Sequence, residues 1–124
     1  MSDPFAAFRA AIENHDTDAA VALFADDARF FSPVVHKPYV GREQLRSILT
    51  AVAEVFEDFR YTDTFPGDGG CVLGFAAMVG GRELQGIDML RAVDGVLTEL
   101  TVMVRPYSAA TALRERMAAL LPPA

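Results

Sequence analysis

Tryptophan is missing from these 124 residues, cysteine occurs once, at Cys71, and histidine only twice, at His15 and His36. A lone cysteine excludes an intrachain disulfide and fits a reducing compartment. With no basic or histidine cluster beside it, Cys71 reads as a small buried hydrophobe rather than a reactive thiol. Three soft ligands without i, i+4 helical spacing leave no metal set, and no cofactor is expected. Basic residues are also scarce: 11 Lys and Arg against 17 Asp and Glu give a net charge of −6. That balance supplies no basic stripe for a nucleic-acid backbone, and no attraction to an anionic membrane surface. Long apolar runs are absent, and Met1-Ser2-Asp3-Pro4-Phe5 has no charged stretch leading into one. Neither a signal peptide nor a membrane span is expected, which places the protein in the cytoplasm. Gly67, Gly69 and Gly70 fall between strands and open no helix, so there is no phosphate-binding loop. Repeats, linkers and low-complexity tracts are lacking too, apart from a Pro122-Pro123 tail expected to close the last helix. One domain over residues 1–124 is the result.

What is present in excess is apolar: 52% of residues are hydrophobic and nine are Phe, more than one small core consumes. Phe5, Phe8 and Ile12 recur at helical spacing, and a second short helix after His15-Asp16-Thr17 carries Ala20, Leu23 and Phe24. Ala28 to Val35 reads as a strand, followed by an irregular stretch between Pro33 and Pro38 that holds His36, Lys37 and Tyr39. From Arg42 to Asp58, Leu45, Ile48, Leu49, Val52 and Phe56 fall on one helical face. Beyond Phe59 the period becomes two. Turn signals at residues 66–70, 80–81 and 94–95 then divide the chain into four consecutive antiparallel strands. Ser108 is placed to cap a final helix bearing Leu113, Met117 and Leu120. Helices followed by a strand meander make an α+β domain, with a curved antiparallel sheet wrapped around the helices.

Within the third of these strands stands Asp88, whose neighbours on its own face are Leu84, Gly86 and Leu90. A carboxylate among apolar side chains either finds strong donors or holds a proton at raised pKa, the tuning that acid–base enzymes use near neutral pH. An Arg or Tyr partner inside a structural network explains such a residue equally well. A two-residue Gly80-Gly81 turn pairs Val79 with Arg82 and sets Leu73 opposite Asp88. The next hairpin admits a two-residue Asp94-Gly95 turn or a three-residue Val93-Asp94-Gly95 loop with a bulge at Gly95. The bulged register separates the faces better. It gathers Leu73, Phe75, Leu84, Leu90, Leu100 and Val102 around Asp88 and sends Gln85, Arg91, Glu99 and Arg105 outward. The reverse face then carries Val72, Ala76, Met78, Ile87, Met89 and Met103, too apolar for solvent, and a homodimer through the sheet is expected.

The string AIENHDTDAAVALFADDARFFSPVVHKPYVG from Ala11 to Gly41 and GRELQGIDMLRAVDGVLTELTVMVRP from Gly81 to Pro106 resemble the nuclear transport factor 2-like superfamily, in its SnoaL-like branch. The resemblance implies a cone-shaped α+β sheet around helices, an apolar pocket at the open end, and commonly a sheet-mediated dimer. Function transfers residue by residue, because the superfamily holds isomerases, cyclases, dehydratases, hydrolases and binding proteins without chemistry. Against ketosteroid isomerase, whose protonated Asp is a standard example of a carboxylic acid kept neutral, Ile87-Asp88 matches the strand with the oxyanion-hole Asp. Ser32 stands where that enzyme has its general-base Asp, and Phe8 where it has its oxyanion Tyr. Ser32 cannot accept a proton unaided near neutral pH, so ordinary ketosteroid isomerisation is not expected.

Asp88 is thus the expected catalytic group, with His36, in the loop near the pocket opening, as its helper. Phe8, Ser32, Tyr39, Tyr61, Leu73, Phe75, Leu100 and Val102 are the expected ligand wall. Tyr61 and Asp63 are read on one face with Phe59 and Phe65, so that either could reach the pocket. His15 beside the helix break is assigned no function. Three readings stay open: an isomerase- or cyclase-type acid–base enzyme acting on an apolar carbonyl compound, a non-catalytic carrier of a hydrophobic small molecule, and an interaction module with a vestigial pocket.

Overall fold

Helix α1 (Pro4–Glu13) begins where a capping side chain and a fixed φ coincide. Asp3 Oδ1 accepts from the amides of Phe5 at 2.9 Å and Ala6 at 3.2 Å, and Pro4 occupies the first turn. The computed structural model describes residues 3–121. After α1, His15 turns the chain in the left-handed region, and Asp16 caps α2 (Thr17–Ala22) through the amide of Ala19. That helix stops two residues before Phe24, which was expected to lie on it. Phe24 instead opens β1 (Phe24–Phe31), pairs with Leu97 and meets the Phe8 ring edge-on at 5.8 Å. Full burial of a Phe, with its backbone paired, outweighs another helical turn. The strand therefore runs earlier than residues 28–35.

Short β2 (Tyr39–Val40) leads through Gly41, at φ 96°, into α3 (Arg42–Val55). Leu45, Ile48, Leu49, Ala51 and Val55 of α3 are buried. The helix ends before Asp58, because Phe56 turns extended and lays its ring 5.7 Å from both Phe59 and Phe75. Four long strands follow, β3 (Glu57–Gly67), β4 (Gly70–Val79), β5 (Arg82–Val93) and β6 (Val96–Arg105), and then α4 (Tyr107–Leu120). Pro106, not Ser108, holds the cap position of α4, and no side chain caps it. The expectation for Pro122-Pro123 lies outside the described residues. No described helix is long and apolar enough to cross a membrane.

Among the described residues six strands form one curved, unclosed sheet in the order β2-β1-β6-β5-β4-β3. Its neighbours are antiparallel except β1 and β6, which run parallel, so the sheet is mixed rather than wholly antiparallel. The first hairpin pairs as expected, Val79 with Arg82 and Leu73 with Asp88. The second does not use a three-residue loop. Val93 pairs with Val96 across a tight Asp94-Gly95 turn, both turn residues having positive φ. The extra residue is Thr98, whose hydroxyl donates to the Arg91 carbonyl at 3.3 Å. Because the bulge comes before Glu99, the faces are still those of the bulged register: Asp88 opposes Val102, and Leu90 opposes Leu100.

A comparable bulge at Thr62 corrects the reading of β3. Tyr61 opposes Phe75 on the inner face, whereas Asp63 opposes Gly74 and Phe65 opposes Val72 on the outer one. Asp63 therefore points away from the helices and is no second pocket carboxyl, and Phe65 is 62% exposed. Inside, Phe8, Phe24, Leu73, Leu84, Leu90, Leu97 and Leu100 are almost wholly buried. Ala109 and Leu113 attach α4 to that same core, so α4 leaves the outer face uncovered.

Candidate functional site

Asp88 sits in the middle of β5 with its side chain on the inner face, 7% exposed, the one buried charged residue among those described. Its strand position dictates this, because Leu84 and Leu90 alternate with it into the core and Leu73 and Val102 flank it across the sheet. No guanidinium or ammonium reaches it among the described residues. Its partner is the Tyr61 hydroxyl, which donates to Oδ2 at 2.8 Å. Burial pushes the carboxyl pKa up from 3.8 to about 7, and the Tyr61 hydrogen bond holds it back from going higher. The phenol is driven well above its ordinary range, by its own burial first and then by the neighbouring carboxylate, and stays protonated.

A ring on one side and an arginine on the other hold Tyr61 there. Tyr61 follows Phe59 by two residues with no register shift between Arg60 and Tyr61, the bulge at Thr62 reorienting only what comes after, and Phe59 meets the Tyr61 ring edge-on at 5.0 Å. On the other side the Arg9 guanidinium of α1 lies 5.4 Å from the ring centroid, donates to Thr64 Oγ1 at 2.7 Å and pairs with Glu13 at 3.5 Å.

Above this pair the helices do not fill the curve of the sheet, and a hollow of about 670 Å³ remains, in the range of small-molecule sites. Its wall is Phe8 and Ile12 of α1, Ile48, Leu49, Val52 and Phe56 of the α3 segment, Phe30, Phe59, Leu100 and Val102 of the sheet, and Leu113, Met117 and Leu121 at the C-terminal end. The polar lining is sparse: Tyr61 and Asp88 in the interior, Ser32 and Tyr39 on the loop side, and His15, Asp16, Thr17, Asp58 and Arg114 at more exposed positions. Among the described residues every fully enclosed side-chain oxygen or nitrogen has a partner. Oδ1 of Asp88 takes no hydrogen bond from the described residues and is therefore not fully enclosed, which makes it the carboxyl oxygen left open to the hollow that Asp88 lines.

The structure brings Phe8, Ser32, Tyr39, Tyr61, Asp88, Leu100 and Val102 to this wall. Ser32 Oγ accepts from the amides of Val34 and Val35 at 3.1 and 3.2 Å, which commits its lone pairs to the loop. Leu73 and Phe75 lie behind the lining: Leu73 is core, and the Phe75 ring supports Phe56 and Phe59 at 5.7 and 5.0 Å. His36, expected as the helper of Asp88, is exposed on the loop and is not among the residues that line the hollow. His15, assigned no function from sequence, does line the hollow, as do α4 and Asp58. Their signal was only the apolar face of α4 and two left-handed residues, His15 and Asp58, that side-chain patterning does not reveal. Among the described residues no His, Cys, Asp and Glu group gathers as a metal site.

Residues 5–100 match the family described as the SnoaL-like domain. Among solved structures, a steroid Δ-isomerase from Pseudomonas aeruginosa is 41% identical, with 94% of this chain and 87% of that one covered and a TM-score of 0.89. A protein with a cystatin-like fold from Silicibacter pomeroyi is 30% identical over 96% and 85% of the two chains, with a TM-score of 0.90. A Catenulispora acidiphila protein with a ketosteroid isomerase-like fold, solved in complex with trimethylamine, shares the fold at 17% identity over 98% and 99%, with a TM-score of 0.69. None of the curated proteins matches the chain. The chain belongs to the SnoaL-like family of the nuclear transport factor 2-like superfamily.

Proposed function

We propose that this SnoaL-like protein is a cofactor-independent acid–base enzyme of the isomerase or cyclase type, acting on an apolar carbonyl compound held in the hollow, with Asp88 as the acid. The observation that carries the reading is Asp88 Oδ1, a carboxyl oxygen open to an apolar cavity, on a group whose burial pushes its pKa up to about 7. Protonated, it donates to the carbonyl oxygen of a bound ketone and stabilises the enol or enolate that forms when solvent water takes the proton from the adjacent carbon. The aromatic wall suits a ligand with an extended apolar body. Support also comes from the 41%-identical relative, which bears the name steroid Δ-isomerase. Ordinary 3-oxosteroid isomerisation is not part of the proposal, since Ser32 stands in the position of the base and its oxygen is already engaged. The protein acts as a homodimer through the outer sheet face, where Phe65 is 62% and Met103 52% exposed.

A second reading, a carrier that uses Asp88 as a polar anchor, draws support from that engaged Ser32 and from His36 lying outside the hollow. Deuterium exchange separates the two. A ketone that co-purifies with the protein, identified by native mass spectrometry, is returned to the protein in D2O. Exchange at the carbon next to the carbonyl, lost in Asp88→Asn, is the enzyme result. Retained binding without exchange is the carrier result and overturns the enzyme.

A further inference from the structure

The two carboxyl oxygens of Asp88 are not equivalent. Oδ2 accepts the Tyr61 hydroxyl at 2.8 Å, and Oδ1 is the oxygen open to the hollow. A phenol that donates along one lone pair of Oδ2 makes that oxygen the better carbonyl acceptor and the poorer place for a second proton. We propose that Tyr61 is a positioning residue that confines the proton of neutral Asp88 to Oδ1, so that the cavity is presented with a single fixed O–H donor. The site then takes ligands through a hydrogen-bond-accepting oxygen, a ketone or an enolate-like anion, and rejects isosteric amines and ammonium ions that bring only donors. This rests on the reading that Asp88 is the group shown to the ligand.

The surroundings of Tyr61 fit such a task. Its ring is fixed from both sides, by Phe59 edge-on at 5.0 Å and by the Arg9 guanidinium 5.4 Å from the centroid. Arg9 is itself tied to Thr64 and Glu13, so the phenol has one orientation in which to donate. Among the described residues the charged groups near the pair are Arg9 and Glu13, both on α1, and neither reaches the carboxyl. The sequence left an Arg or a Tyr as alternative partners for Asp88, and the structure uses both in series, Arg9 on Tyr61 and Tyr61 on Asp88.

Infrared difference spectra of the ligand-free full chain between pH 5 and pH 9 test this directly, the Asp88 C=O band being the one absent in Asp88→Asn. In wild type the band sits low, as for a carbonyl accepting a hydrogen bond. Tyr61→Phe, which keeps the ring, moves it to higher wavenumber and moves the titration midpoint up, because the Tyr61 bond is what holds the pKa down. Replacing tyrosine by 3-fluorotyrosine, a stronger donor, moves both the other way and answers the question if Tyr61→Phe does not fold. A band unmoved by both changes overturns the proposal.

Binding of 1-tetralone, a small apolar ketone, adds a readout that acidity alone would not produce. In wild type its affinity is flat below about pH 7 and falls tenfold per pH unit above it. Tyr61→Phe extends the plateau to higher pH but weakens the plateau itself about tenfold. An extended plateau at unchanged affinity means that Tyr61 sets only acidity, which overturns the positioning role. If 1-tetralone fails to bind wild type, the carbonyl reading of the site falls, and the infrared result still decides what Tyr61 does.

Discussion

Phe75 lies flat across Gly86 of the neighbouring strand. A Cβ added at Gly86 would stand 2.9 Å from Phe75 Cε1 and 2.7 Å from the Met103 carbonyl oxygen, inside any real contact distance. The missing side chain lets the Phe75 ring sink against β5, where it backs Phe56 and Phe59 on the cavity wall. Gly86→Ala is expected to destabilise the fold by about 1–3 kcal/mol, the usual range for overpacking a rigid site. Chemical denaturation of the two proteins reads this, and equal stability would show that the ring is not seated as described.

Stability should depend on pH with an unusual sign for an aspartate. The folded pKa of Asp88, about 7, exceeds its ordinary 3.8, so between those values the native state holds more of the proton than the unfolded chain does. Burying Asp88 is therefore least unfavourable below about pH 4, and the contribution to stability falls as pH rises to about 7 and is flat above. The full span is on the order of 4 kcal/mol for a shift of this size. Asp88→Asn keeps an acceptor for Tyr61 and removes the slope, leaving a fold near wild type at low pH and more stable at pH 8. Urea titrations from pH 5 to 8 compare the two, and severe unfolding of Asp88→Asn at every pH would mark the residue as structural.

How much of this was legible from the sequence differs strand by strand. Asp88 and its neighbours Leu84, Leu90, Leu100 and Val102 followed from parity, because side chains alternate across a sheet and one extra residue anywhere before Glu99 gives the same faces. The position of that residue did not matter to the outcome, and the sequence misplaced it at Gly95 rather than Thr98. In β3 the position decided everything. Tyr61 and Asp63 are two apart and read as equals until the bulge at Thr62 sends one to the carboxyl and the other to the outer face. A Thr in a strand gives no local sign of that break, which comes from packing against β4. The hollow itself depends on how far α3 and α4 stand off the sheet, a tertiary quantity without a local signature.

The hollow can be filled without damaging the core. Val52 lines it from α3 and is only partly buried, so Val52→Phe projects into open volume and should change stability by less than about 1 kcal/mol. Ligand uptake should be lost, measured by native mass spectrometry of material purified in parallel. Undiminished ligand in Val52→Phe would place the binding site elsewhere.

The outer sheet face gives an oligomer test. Met103, 52% exposed, shares a row with Ile87, Gly74 and Asp63 across four strands. Met103→Lys should convert a dimer in solution to a monomer in sedimentation velocity without altering the far-ultraviolet circular dichroism. A wild-type monomer at micromolar concentration would remove the dimer from the account.

The most direct measurement is the titration of the Asp88 side-chain carboxyl by 13C chemical shift in the ligand-free protein, assigned with Asp88→Asn. The account requires a midpoint near pH 7, with the Tyr61 hydroxyl still bonded to it. A midpoint near 4, the value of a solvated aspartate, would contradict it, because a carboxyl that ionises there is not the sequestered acid on which the proposed chemistry depends.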